Sequence, residues 1–310
     1  MSGRSQQEEL NTHSDVVQRR ANLPSRMITR AIIPAAGLGT RLLSVTKEQP
    51  KEMLAVFAPT QSGTISLKPV VQLIFEQLHD CGIRNFCFVV GRGKRAIEDH
   101  FTPDWGFVRL LQSRDLQDQA KELVAFYDKV AKSSILWVNQ SEPRGFGDAV
   151  LIGRAVSDGG SIIVHAGDNH VISPKNDHIK RLIKVHQESK ADATLLLRYV
   201  KDPRQYGVAD VNRQHGEILV RHVVEKPERP VSKLALLPTY VFEPPIFDAL
   251  KGIKPGKGKE LQLTDAIEEL IRRGFKVRAV QLMKGEFWLD VGTPETYWRA
   301  LSTSRDHAAQ

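Results

Sequence analysis

Residues 31–54, AIIPAAGLGTRLLSVTKEQPKEML, constrain the fold more than any other stretch of the chain. Ala31, Ile32 and Ile33 form a short apolar run closed by Pro34 and two alanines, after which Gly37 and Gly39 frame a loop. A short apolar run stopped by small residues reads as a buried strand feeding a turn. Glycines let the backbone approach a ligand closely, and unpaired backbone N–H groups in such a turn attract anions. Arg41 follows the second glycine and Lys51 stands behind Pro50. The stretch therefore reads as a buried strand that ends in a nucleotide phosphate site.

Downstream, strand-like and helix-like stretches alternate. Strands are expected over 85–90, 134–138, 161–165, 193–200 and 276–280. Helices are expected over 69–79, 95–101, 115–132, 148–156, 177–190, 265–273 and 294–302. Such alternation predicts right-handed βαβ crossovers and a doubly wound, mostly parallel (mixed) α/β sheet. Between 206 and 241 three strand-like runs, 207–211, 218–224 and 233–241, follow one another without a long helix, which reads as a smaller α+β portion over the sheet. Residues 1–26 are polar and lack periodicity, so a flexible tail precedes a single domain over 27–310.

Composition narrows the function classes. With 41% hydrophobic and 26% charged residues, the 310-residue chain has the make-up of a globular domain with a large core. It has no run near the roughly 18 apolar residues of a membrane span and no apolar core of a secretory signal at its start. Cys81 and Cys87 form no disulfide framework or metal cluster and read as buried, reduced thiols, which points to the cytoplasm. The net charge of +8 comes from scattered residues without a basic stripe interleaved with aromatics. Polyanionic substrates fit this better than nucleic acid.

The glycine loop is not a P-loop, because no Gly-Lys-Ser/Thr ends it, and not a dinucleotide fingerprint, because Leu42 stands where a third glycine would. Read whole, Gly-x-Gly-Thr-Arg-Leu…Pro-Lys-Glu-Met-Leu resembles the N-terminal signature of nucleotidyltransferases that make nucleoside-diphosphate sugars. The Pro-Lys-Glu-Met-Leu form looks most like bacterial and archaeal UTP–glucose-1-phosphate uridylyltransferases. The likeness extends over nearly the whole chain from Thr29, in the expected order. It implies the Rossmann-like sheet of that family, with a sugar-binding portion over 206–265.

The resemblance also assigns residues. Ala36, Gly37, Gly39 and Thr40 would bind the nucleotide phosphates, with Arg41 and Lys51 as the catalytic cations. In QSEPRGFGDAV, Gln140 and the backbone of Gly145 would pair with the pyrimidine edge, since an amide offers the donor and acceptor that an imide needs. Asp168 in SIIVHAGDN and Asp290 in FWLDVGTPETY would hold Mg2+. His165, close to the first, reads as a packing or hydrogen-bonding residue. Gly207 would touch the sugar, Glu225 its hydroxyls and Lys226 the 1-phosphate, while the segment 259–267 reads as structural.

The implied partners are UTP, a sugar 1-phosphate and pyrophosphate, in a homo-oligomer (dimer or tetramer) that uses neither nucleic acid nor a membrane. A dTTP-dependent enzyme and a catalytically silent sugar-nucleotide sensor are the competing readings. Three departures from the pattern stand out: an insertion over 57–67, Leu237-Pro238-Thr239 in place of a glycine near the sugar, and a basic segment over 91–95 that would add phosphate contacts.

Overall fold

A computed structural model describes residues 27–308. The tail expected over 1–26 lies outside them. The strands are β1 (Arg30–Ala35), β2 (Ala55–Pro59), β3 (Ile65–Pro69), β4 (Asn85–Val90), β5 (Ser134–Asn139), β6 (Ile162–His165), β7 (Asn169–Ile172), β8 (Ala193–Tyr199), β9 (Gly207–Gln214), β10 (Glu217–Glu225), β11 (Leu234–Phe242), β12 (Val277–Gln281) and β13 (Phe287–Asp290). The longer helices are α1 (Val70–Asp80), α2 (Arg95–His100), α3 (Trp105–Ser113), α4 (Gln117–Ala131), α5 (Phe146–Ile152), α6 (Asp177–Ser189), α7 (Pro245–Gly252), α8 (Leu263–Arg272) and α9 (Pro294–Ala308).

Nine strands make one mixed sheet in the order β5-β4-β1-β6-β11-β8-β12-β10-β9. Pairing is parallel from β5 through β4 and β1 to β6, and again between β8 and β12. It is antiparallel around β11 and between β9 and β10. The strands expected as a smaller portion over the sheet are instead continuous with it, and a single bridge, Ala235 to Val208, folds the far edge back onto β11.

Side-chain alternation along β1 explains its central place. Ala31, Ile33 and Ala35 face one core with α1, α4 and α6, while Ile32 faces a second core with α5, α7 and α8. Strands buried on both faces run as continuous apolar sequence, and β4, NFCFVV, does the same. An aromatic cluster fills the first core: Phe75 meets Phe86 at 4.7 Å and Phe101 edge-on at 5.1 Å. Because β1, β4, β5 and β6 are parallel, their carboxyl ends share one edge of the sheet. The loops that leave that edge, after Ala35, Val90, Asn139 and His165, are those in which the chemistry was expected.

Several local expectations change. The helix expected over 115–132 begins at Gln117, after a turn in which Asp115 adopts φ 59°, and the preceding α3 was not foreseen. The helix expected over 148–156 ends at Ile152 and tightens into a 3-10 turn at Gly153, where any β-carbon would lie 2.7 Å from Ile32. The insertion over 57–67 belongs to the β2–β3 hairpin, which packs under α9. There Tyr297 donates to the Ala55 carbonyl at 2.9 Å and Arg305 lies 5.4 Å from the Phe57 ring. The short strands β7 and β13 also went unread, and they pair antiparallel with Asn169 opposite Asp290.

Beside β7 lies a group of buried histidines. His178 is fully buried and neither ring nitrogen has a hydrogen-bond partner among the described residues. Burial holds its imidazole down at about 3, with His165 and His170 adding repulsion, and burial likewise lowers His165 and His100 to about 4 and His170 to about 3. All four stand below the ordinary 6.5, so the folded chain resists protons that the unfolded chain takes up as the pH falls below 6.5. Stability is therefore untouched by them above that value and is lost progressively between 6.5 and about 3. Asp290, pushed up to about 6, and the raised Glu52 and Asp265 work in the opposite sense, so the histidine contribution is read from the difference between a variant and its parent. At pH 5 each such histidine costs about 2 kcal/mol. Calorimetric Tm should fall clearly between pH 7 and pH 5, and the His178→Leu variant should show a shallower fall. An identical pH dependence in the variant would refute the assignment.

Candidate active site

The site is built on the turn that follows β1. Gly39 adopts φ 67°, a conformation that a side chain rarely takes, and a β-carbon there would lie 2.9 Å from Thr46. The hydroxyl of Thr46 donates to the Gly39 carbonyl at 2.8 Å and pins the turn. Arg41 then sits in the middle of a 3-10 turn, Thr40–Leu42, and the chain returns through Pro50, whose fixed extended backbone leads into the second 3-10 turn, Lys51–Met53. A cavity of about 500 Å3 opens above these turns. Its lining includes Ala36, Gly37, Gly39, Thr40, Arg41, Lys51, Gln140, Gly145, Asp168, Glu225 and Lys226.

Asp290 and Gly207 are placed beside the cavity. Val291 donates its backbone N–H to the Asp168 carbonyl at 3.2 Å, so β13 delivers Asp290 next to Asp168. A β-carbon on Gly292 would lie 3.0 Å from the Asp290 carboxylate and 3.1 Å from the Arg41 guanidinium, so both groups flank that glycine. Gly207 lies opposite Glu225 in the β9–β10 ladder, and a β-carbon on it would approach the Glu225 carboxylate at 3.2 Å.

The floor carries buried and half-buried charges in an alternating row. Lys94 donates to Glu52 at 2.9 Å, Lys51 immediately precedes Glu52 in sequence, and the Lys51 ammonium bonds Asp168. Glu52 is 1% exposed and Lys94 8%. Burial raises the Glu52 carboxyl, against the pull of Lys94 and Lys51. Burial alone would lower the Lys51 ammonium, but Asp168 and Glu52 outweigh it and the net shift is upward. For Asp168 the order is reversed: burial raises it, yet Lys51 and the Asn169 amide hold it below the usual carboxylate range. For Asp290 the relief from Arg41, Lys51 and Thr296 falls short. Burial and then the charge of Asp168 push it up to about 6.

Around this row stand residues that sequence reasoning missed. Asn169 donates to Asp168 at 2.7 Å and accepts from the Trp288 indole at 2.6 Å, and Arg198 lies 5.6 Å from that indole ring. A tryptophan two residues before the expected metal carboxylate was the available signal. Thr264 donates to Glu225 at 2.7 Å, and Lys226 reaches the other Glu225 oxygen at 3.0 Å from a left-handed backbone of φ 43°. The segment 259–267, read as structural, in fact supplies Glu260, Gln262, Leu263 and Thr264 to the cavity wall. The basic segment 91–95 differs in the other direction. Lys94 spends its charge on Glu52 below the cavity instead of offering it to phosphate.

Gln140 is 5% exposed and donates to Asp148 at 2.7 Å and to the Gly145 carbonyl at 3.2 Å. His165 bonds the Ala166 carbonyl at 2.9 Å, as befits a packed residue. Among the described residues no group of three or more metal-ligating side chains occurs, so Asp168 and Asp290 stand as a two-carboxylate set.

The charge row makes a stability prediction. Lys94→Met alone leaves Glu52 buried and uncompensated, and should cost about 3–5 kcal/mol. Glu52→Gln combined with Lys94→Met removes both charges and should recover most of that loss in a chemical denaturation series. Equal stability of the single variant and the parent would contradict the pairing.

Comparison with known proteins agrees with this geometry. The family model described as nucleotidyl transferase matches residues 30–307. UTP–glucose-1-phosphate uridylyltransferase 2 of Staphylococcus saprophyticus is 37% identical over 80% of this chain and 82% of its own length. A crystal structure of a UDP-glucose pyrophosphorylase complexed with UDP-glucose superposes with TM-score 0.76 at 29% identity, over 91% of this chain and all of the other. The UTP-bound enzyme from Acinetobacter baumannii gives TM-score 0.76 at 28% identity, over 89% of this chain and 93% of its own. The chain belongs to the nucleotidyl transferase family, among its UTP–glucose-1-phosphate uridylyltransferases.

Proposed function

We propose that this chain transfers the uridylyl group of UTP to glucose 1-phosphate, forming UDP-glucose and releasing pyrophosphate. One observation carries the reading: a single cavity joins the glycine loop, Arg41, Lys51 and Asp168 to Gln140 at one end and to Glu225 and Lys226 at the other. The names of the relatives point the same way.

An oxygen of the sugar phosphate attacks the α-phosphorus, and the bond to the pyrophosphate oxygen breaks. A phosphate monoester with a second pKa near 6 is already anionic at neutral pH, so no general base is required. The work of the protein is to hold two anions in line against their repulsion. Lys226 holds the acceptor phosphate while Glu225 takes sugar hydroxyls. Lys51 neutralises charge near the α-phosphate, and Arg41, beside Gly292 and Asp290, takes the leaving pyrophosphate. The backbone of Ala36, Gly37, Gly39 and Thr40 cradles the remaining oxygens.

Asp168 and Asp290 would hold Mg2+, which supplies positive charge between the phosphates. Hard carboxylate oxygens with positions left for phosphate and water suit that ion. Burial and then the charge of Asp168 lift Asp290 to about 6, and a divalent cation there would offset both. The cytoplasm is the proposed location, supported by the free thiols of Cys81 and Cys87, and a dimer or tetramer the proposed assembly. No helix among the described residues is long and apolar enough to cross a membrane.

Pyrophosphate release, followed over a matrix of UTP, dTTP and CTP against several sugar 1-phosphates with Mg2+, tests the proposal. UTP with glucose 1-phosphate should be the best pair, and Arg41→Ala or Asp168→Ala should lower kcat/KM by on the order of a hundredfold. Absence of release with every pair would favour a silent sensor, and a preference for dTTP would favour the thymidylyl reading.

A further inference from the structure

The reading of Gln140 as the base-contacting residue leaves open which end of its amide meets the base. A primary amide has a donor end and an acceptor end, and the two select opposite partners. Here the surroundings decide. The Gln140 Nε2 lies 2.7 Å from Asp148 Oδ2 and 3.2 Å from the Gly145 carbonyl oxygen, so two acceptors share one side of the amide. A carboxylate offers no hydrogen to an amide oxygen, and the reversed amide would set its Oε1 against both acceptors. The other oxygen of Asp148 lies 3.0 Å from the Arg144 guanidinium and pairs with it.

Both partners are enclosed, Gln140 and Asp148 each being 5% exposed. A buried hydrogen-bonded pair with a carboxylate is not exchanged for solvent at little cost. The Oε1 of Gln140 accepts nothing from any described residue, and Gln140 lines the cavity. The cavity is therefore offered an acceptor. Uracil meets an acceptor with its imide N–H, whereas cytosine has a lone pair at the same ring position and is repelled.

We propose that Asp148 is a positioning residue that locks the Gln140 amide with its oxygen toward the base, and so sets the preference for a pyrimidine imide over cytosine without touching the nucleotide. The inference rests on the uridylyl-transfer reading and deepens it. Asp148 sits in the first turn of α5, next to Gly147, whose N–H donates to the Leu261 carbonyl at 2.8 Å. The carboxylate is thus carried by a segment anchored to the opposite wall of the cavity.

Asp148→Asn tests this with almost no change of shape. An asparagine amide can donate to Gln140 Oε1, so both orientations of Gln140 become available and its NH2 can face the base. The ratio of kcat/KM for UTP over CTP should fall by roughly tenfold or more, the size expected when one buried hydrogen bond stops discriminating. KM for glucose 1-phosphate should stay unchanged, and direct calorimetric binding of UTP and CTP should show the same narrowing without turnover.

Gln140→Ala serves as the reference. If it collapses the ratio while Asp148→Asn preserves it, or if Asp148→Asn weakens both nucleotides equally, the proposal is overturned. If Gln140→Ala itself leaves the ratio intact, the base-site reading fails instead.

Discussion

Four charges in alternation, the buried Lys94 and Glu52 and the half-buried Lys51 and Asp168, hold the site together. Each would be prohibitively costly alone, because moving an ion out of water into a protein interior costs several kcal/mol even after relaxation. Each is tolerated because its neighbour has the opposite sign. The row also joins three segments distant in sequence: the loop after β4, the turn behind Pro50 and the acidic turn after β6. Backbone bonds complete the clamp, with Gly167 donating to Pro34 at 3.0 Å and Ala166 to Pro238 at 2.9 Å. The glycine loop, Asp168 and β11 are thereby fixed to one another before any substrate arrives. Preorganisation of this kind is what an electrostatic catalyst requires, since charges that need not move cost nothing to align during reaction.

The sheet explains why those segments meet. Parallel strands deliver all their carboxyl ends to one edge, so loops after β1, β4, β5 and β6 converge without special arrangement. The antiparallel strands then bring a different chemistry to the same place. β9 and β10 carry Gly207 and Glu225 side by side, and β11 closes the gap between them and β6. Arg41, Lys51 and Asp168 come from loops of the parallel half, and Gly207 and Glu225 from the antiparallel half.

Much of this was legible in the sequence because it rests on local pattern. The strand 85–90 coincides with β4, and the turn at Gly37–Arg41 is written in glycine and small residues. Arg41, Lys51, Gln140 and Asp168 all line the cavity. What escaped depends on contacts between remote residues. β7 and β13 have four residues each, too few to show a period, and each exists only because the other pairs with it. The break before Gln117 depends on one left-handed aspartate, and Asp115 has nothing in its neighbours to announce it. Lys94 read as one of the basic residues that would add phosphate contacts because its partner, Glu52, lies in another segment. Asp148, likewise, is an ordinary helix-start residue until the amide it faces is known.

The β7–β13 pairing has a consequence for how the carboxylates are held. Asp168 directly precedes β7 and Asp290 ends β13, so the two meet across a two-stranded ladder that is separate from the nine-stranded sheet. Lys51 and Asp168 face each other as a matched pair, whereas Asp290 arrives on a strand that runs on into α9, the helix that covers the β2–β3 hairpin. Any tilt of α9 on that hairpin is therefore passed along the chain to one carboxylate and not to the other, which makes the spacing of the pair a property of the helix seat.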